Sequence, residues 1–345
     1  VTGGLGALGL EVARYLVAAG ARHLILSGRS GAGTTAQRDA VAELACDGAT
    51  VEVVAADVAT PAGCAQILAV AGRTLRGVIH AAGILDDGML MQQTAERFRT
   101  VASPKVQGAW TLHQQTADLP LDFFVVFSSV ASVLGSPGQS NYAAANAFMD
   151  ALAWYRRASG LPALSINWGP WADVGMATSD AVMRRLMNDG WQPMGATQGC
   201  GVMAQLLAAE RGPQVGVIPL DWSQFSRQVP GASGWPVLTR LMEAVDGDPA
   251  EASATQALAE QAKLAHGESR LLLLRQYAVE RVAQTLRVPG ADLDEHEGLS
   301  NLGLDSLTAV ELRTWIHTDL AADLPVDQMF SVPTIAALAD AIQVA

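Results

Sequence analysis

Four side chains in the middle of the chain could together move a proton. Ser128-Ser129 closes an apolar run. Tyr142 stands 13 residues after Ser129 at the start of a helix-periodic stretch, and Asn146 lies one turn further along the same face. A phenol beside a serine hydroxyl can give its proton to a carbonyl oxygen while hydride arrives at the carbon. For that, the phenol's pKa of about 10 must fall toward the working pH, which a neighbouring ammonium achieves by favouring phenolate. The candidate cation is Lys105. Of 22 basic residues only Lys105 and Lys263 are lysines, and Lys105 falls on the helix before the strand that ends in Ser129. Singly, Ser129 could be a helix cap, Tyr142 a packing residue and Lys105 a surface charge. All three bland readings holding at once is improbable.

A second set of residues could hold a nucleotide. Thr2-Gly3-Gly4-Leu5-Gly6-Ala7-Leu8-Gly9 opens a helix, where glycines permit close approach of a diphosphate and the helix N-terminus offers amide donors. The glycine run alone is weak; the following strand ends strengthen it. The second carries Arg29 and Ser30 where an NAD enzyme would place an acid, which favours a 2′-phosphate and NADP(H); a solvated loop arginine is the alternative for Arg29. The third ends in Asp57-Val58, suited to the adenine edge, and the fourth in His80-Ala81-Ala82-Gly83, where Ala82 and Gly83 leave room.

The elements that must position these groups alternate. Strand candidates are residues 23–27, 51–55, 77–81, 121–128, 163–168 and 216–219. Helix candidates between them are 9–19, 35–46, 61–71, 94–116, 142–159 and 199–209. Continuous apolar strands separated by helices predict an α/β doubly wound parallel sheet, Rossmann-like, and the chain's opening on Val1-Thr2 suggests that its first strand is truncated and the chain a fragment. Residues 246–267, rich in Ala, Glu, Gln and Asp, suit a solvated linker or a short helix. Beyond them only helical periodicity remains, at 269–286, 307–320 and 334–344 with a short turn at 326–330, which predicts a small all-α four-helix domain. The expected division is therefore 1–245, a linker at 246–267, and 268–345.

Composition excludes several classes. A net charge of −12 argues against nucleic-acid binding, and no apolar run approaches the roughly 18 residues of a membrane span. The N-terminus carries no secretion signal, and the three cysteines, Cys46, Cys64 and Cys200, lack metal spacing, so the expected setting is reduced and cytoplasmic. From Glu268 onward twelve acidic residues face five arginines, which concentrates more than half the charge in the helical region.

There, Leu302-Gly303-Leu304-Asp305-Ser306-Leu307 marks a loop-to-helix junction with Asp305 as candidate N-cap and Ser306 in the first turn, beside free amides that would favour a phosphodiester. Ala309-Val310-Glu311-Leu312-Arg313 and Phe330-Ser331-Val332-Pro333-Thr334-Ile335 complete a pattern that resembles an acyl carrier domain, with Trp315 a minor departure. The resemblance implies 4′-phosphopantetheine on Ser306.

Residues 2–222 resemble the catalytic half of a ketoreductase domain of a modular type I polyketide synthase, within the short-chain dehydrogenase/reductase superfamily. Most of that superfamily has Tyr-x-x-x-Lys; here Tyr142-Ala143-Ala144-Ala145-Asn146 and Lys105 match the exchange of lysine and asparagine found in the polyketide branch. The resemblance implies that Tyr142 donates the proton, Ser129 bonds the substrate carbonyl, Lys105 tunes Tyr142 and Asn146 holds a relay geometry. Leu85-Asp86-Asp87 resembles the fingerprint of B-type reductases, which form a D-hydroxyl, and the A-type tryptophan position holds Leu134. The bland reading of Asp86-Asp87 is a solvated acidic turn. Asn167-Trp168-Gly169-Pro170-Trp171 and Gly175-Met176-Ala177 resemble the approach to a substrate lid, although the tryptophans could equally be core.

Together these resemblances imply NADPH reduction of a carrier-bound β-ketoacyl thioester. Implied partners are that acyl thioester, a phosphopantetheinyl transferase, and ketosynthase, acyltransferase and possible dehydratase domains of a dimeric megasynthase. The competing reading is a carrier module whose reductase half is structural.

Overall fold

The computed structural model describes the chain except residues 173–179, 210–211, 230–234, 239–240, 242–253, 287, 289, 291–292, 305, 326–327 and 329–331. The expected turn at 326–330 and the Gly175-Met176-Ala177 segment lie mainly or wholly outside the described residues. Contacts divide the chain into two units, Val1–Leu220 and Asp221–Ala345.

The first unit alternates strands and helices: α1 (Ala7–Ala18), β1 (His23–Gly28), α2 (Thr35–Cys46), β2 (Thr50–Ala55), α3 (Pro61–Ala71), β3 (Gly77–His80), α4 (Ala95–Ala102), a π-helical turn (Ser103–Gln107), α5 (Gly108–Thr116), β4 (Phe123–Ser129), a short α6 (Ala131–Leu134), α7 (Ser140–Ala158), β5 (Leu164–Trp168), α8 (Asp180–Asn188), α9 (Ala196–Ala208) and β6 (Gln214–Val217). All strand pairs are parallel, β1 beside β2 and β3-β4-β5-β6 in order. Val1 and Thr2 join the two groups. The Val1 carbonyl accepts the Ser27 amide at 3.0 Å, and Thr2 exchanges amide and carbonyl with Ile79 and Ala81, each at 2.9 Å. The strand order therefore reverses at the place where the glycine turn emerges, which is where ligands bind in open α/β sheets.

Burial explains why the strands read as unbroken apolar runs. Along β4, Phe124 and Val126 join Cys64, Ile67, Leu112 and Met149 on one face, while Val125 and Phe127 join Val12, Ile166, Trp168 and Met203 on the other. Trp168 and Trp171 stack edge to face at 4.9 Å within the second core, so of the two readings left open for these tryptophans the core one holds. α2 and α3 occupy the expected residues because Thr34 and Thr60 cap them, with Gln37 completing a capping box and Pro61 in the first turn. The last strand lies two residues earlier than expected: it begins at Gln214, whose amide donates to Asn167 Oδ1 at 3.1 Å.

The second unit contains α10 (Trp222–Gln228), α11 (Ala254–Leu264), α12 (Gly267–Leu286), α13 (Ser306–Leu320) and α14 (Ile335–Val344). The 246–267 stretch, read as linker or short helix, holds α11; its Ala259 and Ala262 are buried in a core with Leu274, Tyr277, Leu312, Ile316, Ile335 and Leu338. Small residues at this spacing allow close helix approach despite an acidic, polar composition. Under that core Arg281 donates to Asp319 Oδ2 through Nε (2.8 Å) and Nη2 (2.6 Å), the Tyr277 hydroxyl donates to the same oxygen at 2.7 Å, and the Arg281 guanidinium lies 4.0 Å from the Trp315 ring. Trp315 thus has a physical role as the platform of a buried ion pair.

Candidate active site and carrier serine

Lys105 reaches Tyr142 and Asn146 because the helix carrying it is irregular. Pro104 cannot donate its missing amide to the turn before it, and the chain widens into a π-helical turn across Ser103–Gln107 between α4 and α5. Lys105 projects inward from that turn and is 3% exposed. Its Nζ donates to Asn146 Oδ1 at 2.9 Å and to the Phe127 carbonyl at 3.1 Å, and lies 5.1 Å from the Tyr142 ring centroid. Asn146 is fully buried and also donates Nδ2 to the Tyr142 carbonyl at 2.8 Å. Ser129 ends β4 and accepts the Ala131 amide at 3.2 Å. The structure therefore brings Lys105, Tyr142 and Asn146 into one cluster, with Ser129 at the end of the adjoining strand.

The electrostatics differ from the sequence expectation. Burial holds the Tyr142 phenol above its ordinary range, assisted by the charge of Asp87, while Asn146 and Ser129 oppose the shift. Burial likewise lowers Lys105 from 10.5 to about 7, with Asp150 pulling the other way. Desolvation outweighs the hydrogen bonds of Asn146 and Ser129 at the phenol. His80 beside them is also buried; its Nδ1 shares a 2.6 Å hydrogen bond with Thr2 Oγ1, and burial together with the Lys105 charge lowers its pKa to about 3. The imidazole is neutral across the physiological range.

A cleft of about 360 Å³ opens at the strand ends, lined by Gly3, Arg29, Asp57, Val58, Ala82 and Gly83 among the expected residues. Ile84, Thr100, Ser103 and Pro104 also line it; no periodicity in the sequence marked these. The glycine turn packs directly against the chain's own backbone at the mouth of this cleft. Gly3 has φ +71°, and a Cβ there would sit 2.7 Å from the Ala82 amide nitrogen. At Gly9 it would sit 2.2 Å from the Gly3 carbonyl oxygen. Gly4 and Gly6 build the same turn, and Gly6 caps α1 through its carbonyl. Thr2 is buried against His80 rather than facing the cleft, and Ser30 follows Arg29 in an exposed turn.

The Leu85–Gly88 loop is clasped to α4 and to the start of α7. Arg97 donates to Asp86 Oδ1 and to the Asp87 carbonyl, both at 2.8 Å. Asn141 donates to the Asp86 carbonyl at 2.8 Å and Gln139 to Asp87 Oδ2 at 2.9 Å. Leu85 packs against the cluster containing Tyr142. Asp86 and Asp87 are thus anchored rather than the ends of a free acidic turn.

In the second unit, Ser306 opens α13 after a turn that includes Gly303 at φ +95°. Asp305 and the Ser306 side chain lie outside the described residues.

A nucleotide cleft at the reversal point of a parallel sheet, beside a buried Tyr-Lys-Asn cluster, defines the short-chain dehydrogenase/reductase class. Residues 1–173 match the KR domain family and residues 276–342 match the phosphopantetheine attachment site. Across 99% of its length the chain is 40% identical to polyketide synthase GfsB of Streptomyces halstedii, and over the same share 42% identical to the spectinabilin polyketide synthase system protein NorB of Streptomyces orinoci. It spans 6% and 16% of those much longer proteins. Among solved structures, an A1-type ketoreductase is 40% identical with a TM-score of 0.63 over 66% of this chain and 48% of that one. The first ketoreductase of the tylosin synthase is 42% identical with a TM-score of 0.59 over 65% and 49%. The chain belongs to the KR domain family: it is a ketoreductase domain followed by a carrier domain of a modular type I polyketide synthase. Its cofactors are NADPH and 4′-phosphopantetheine. Among the described residues, no helix is long and apolar enough to cross a membrane.

Proposed function

We propose that the first unit reduces the β-ketone of an acyl thioester to a β-hydroxyl with NADPH, and that the acyl chain is presented on phosphopantetheine attached to Ser306. The observation that carries the reading is the 2.9 Å bond from Lys105, out of its π-turn, to Asn146, one helical turn beyond Tyr142 and beside the nucleotide cleft. NADPH, when bound along Gly3, Arg29, Asp57 and Gly83, supplies hydride to the ketone carbon. Tyr142 keeps its proton at neutral pH because burial favours the neutral phenol, and it gives that proton to the substrate oxygen as negative charge develops there. The Ser129 hydroxyl holds the same oxygen. The Lys105 ammonium stabilises the phenolate left behind, and Asn146 fixes Lys105 against the Tyr142 backbone. Exclusion of water strengthens each of these interactions.

The anchoring of Asp86 and Asp87 beside Tyr142 supports B-type, D-hydroxyl stereochemistry, because a fixed loop next to the proton donor can restrict which ketone face is presented. The acidity of the carrier suits docking against basic patches of its catalytic partners.

The test is NADPH oxidation with a β-ketoacyl thioester, with chiral analysis of the product. Tyr142→Phe is expected to lower kcat at least about 100-fold, and the product to be the D-hydroxyl. No oxidation by the parent protein would leave the reductase unit structural; an L-product would overturn the stereochemical assignment. For the carrier, a phosphopantetheinyl transferase must add the prosthetic mass to the parent chain and not to Ser306→Ala.

A further inference from the structure

Tyr142, Asn146 and Asp150 lie at successive turns of α7 and form one buried stripe that runs inward from the reaction centre. Asp150 is 6% exposed. Its Oδ1 accepts the Ser165 hydroxyl at 2.5 Å, and its Oδ2 accepts the Ser132 hydroxyl at 2.6 Å and Asn167 Nδ2 at 2.9 Å. Among the described residues no cation bonds this carboxylate. A buried charge held only by neutral donors is costly unless a nearby charge compensates it.

The same donors grip the strand end that carries Ser129. The Ser132 hydroxyl also lies 2.8 Å from the Ser129 carbonyl, so its one proton is shared between that carbonyl and Asp150 Oδ2, and Asn167 Nδ2 lies within reach of the same carbonyl (3.3 Å) and of Ser128 Oγ (3.1 Å). The Ser128 hydroxyl in turn reaches the Asn146 carbonyl at 3.4 Å. β4, β5 and α7 are therefore cross-linked through one carboxylate.

Building on the ketoreductase reading, we propose that Asp150 is a positioning residue: it holds Ser129 in register with Tyr142 through Ser132 and Asn167, and its negative charge balances the Lys105 ammonium. Lys105 Nζ bonds Asn146, and Asp150 follows one turn further along the same buried stripe of α7, where its charge favours the ammonium; the other titratable groups against Lys105 are Tyr142 from α7 and His80 from β3. His80 is neutral and Tyr142 keeps its proton, so Asp150 is the group that favours the ammonium.

With only two lysines in the chain, the lysine charge state can be read directly. Selective 13C labelling at lysine Cε gives two signals, which Lys263→Arg assigns. In Asp150→Asn the Lys105 titration is expected to move down by about one pH unit. The limb of the kcat profile that follows it moves equally, kcat at pH 7.5 falls about tenfold, and KM and NADPH affinity stay within about twofold. Ser165→Ala removes one neutral donor and leaves the charge, so it is expected to leave the Lys105 titration in place. A Lys105 titration unmoved by Asp150→Asn overturns the charge balance whether or not the protein reduces ketones. A moved titration in a protein that oxidises no NADPH upholds the pair and sinks the proposed function instead. Should Asp150→Asn fail to fold, Ser132→Ala cuts the links to Asp150 and Ser129 together. A lowered kcat at parental KM is then expected, and a parental kcat overturns the positioning role.

Discussion

Replacing Lys105 with Met should leave the reductase unit nearly inactive and change the way its stability depends on pH. Lys105 has a pKa of about 7 in the fold and about 10.4 in an unfolded chain. Between those values the unfolded chain binds a proton that the native state does not, so stability rises with pH through that window. At pH 7 keeping this side chain buried costs about 4 kcal/mol relative to a neutral isostere, and at pH 9 about 2 kcal/mol. Met avoids that cost but strips two buried acceptors, Asn146 Oδ1 and the Phe127 carbonyl, of their donor, at about 1–3 kcal/mol each, or about 2–6 kcal/mol together, and it removes the charge that balances Asp150. The net effect at pH 7 is therefore expected to lie between a gain and a loss of about 2 kcal/mol, and to be about 2 kcal/mol less favourable to the variant at pH 9. Because two units unfold in this chain, the readout must be local: native-state hydrogen exchange of the β4 peptide across a urea series, by mass spectrometry. kcat is expected to fall about 100-fold or more. A stability difference between Lys105→Met and the parent that does not fall by about 2 kcal/mol between pH 7 and pH 9 would refute the account of a lysine kept for function against its own desolvation.

Gly9→Ala puts a methyl group 2.2 Å from the Gly3 carbonyl oxygen, so the turn must open; NADPH affinity, measured by fluorescence titration, is expected to fall at least about tenfold with the far-UV spectrum retained. Arg29→Ala should reduce the preference for NADPH over NADH by about ten- to a hundredfold, and an unchanged ratio of the two kcat/KM values would show that Arg29 does not meet the 2′-phosphate. In the carrier unit, Asp319→Ala leaves the Arg281 guanidinium buried without its partner, which is expected to cost about 3–5 kcal/mol in exchange protection of α12. The double change Arg281→Met with Asp319→Leu should recover most of it, since neither half of the ion pair is then stranded.

The alternation of strands and helices was legible because each strand is covered on both faces and each helix on one. α2 and α3 match their expected bounds to the residue, since Thr34, Thr60 and Pro61 are local capping signals. β6 slipped by two residues because its start depends on Gln214 meeting Asn167 across the sheet, a contact invisible to local periodicity. Composition does not separate linker from helix at α11 for the same reason: Ala259 and Ala262 gain their worth only from the core they enter.

Of the site, residue type and spacing alone singled out Tyr142, Asn146, Ser129 and the glycine turn, since helix pitch and turn geometry are properties of the local chain. The scarcity of lysine made Lys105 conspicuous, but only the fold shows how it arrives, through a π-turn forced at Pro104. The protonation balance was decided by tertiary structure as well. A neighbouring ammonium was expected to lower the Tyr142 phenol, yet burial raises the phenol and lowers the lysine, because desolvation depends on everything packed around a group and on nothing in its own sequence neighbourhood. Asp150 stood one turn past Asn146 in plain view, and became meaningful only when β4 and β5 closed around it.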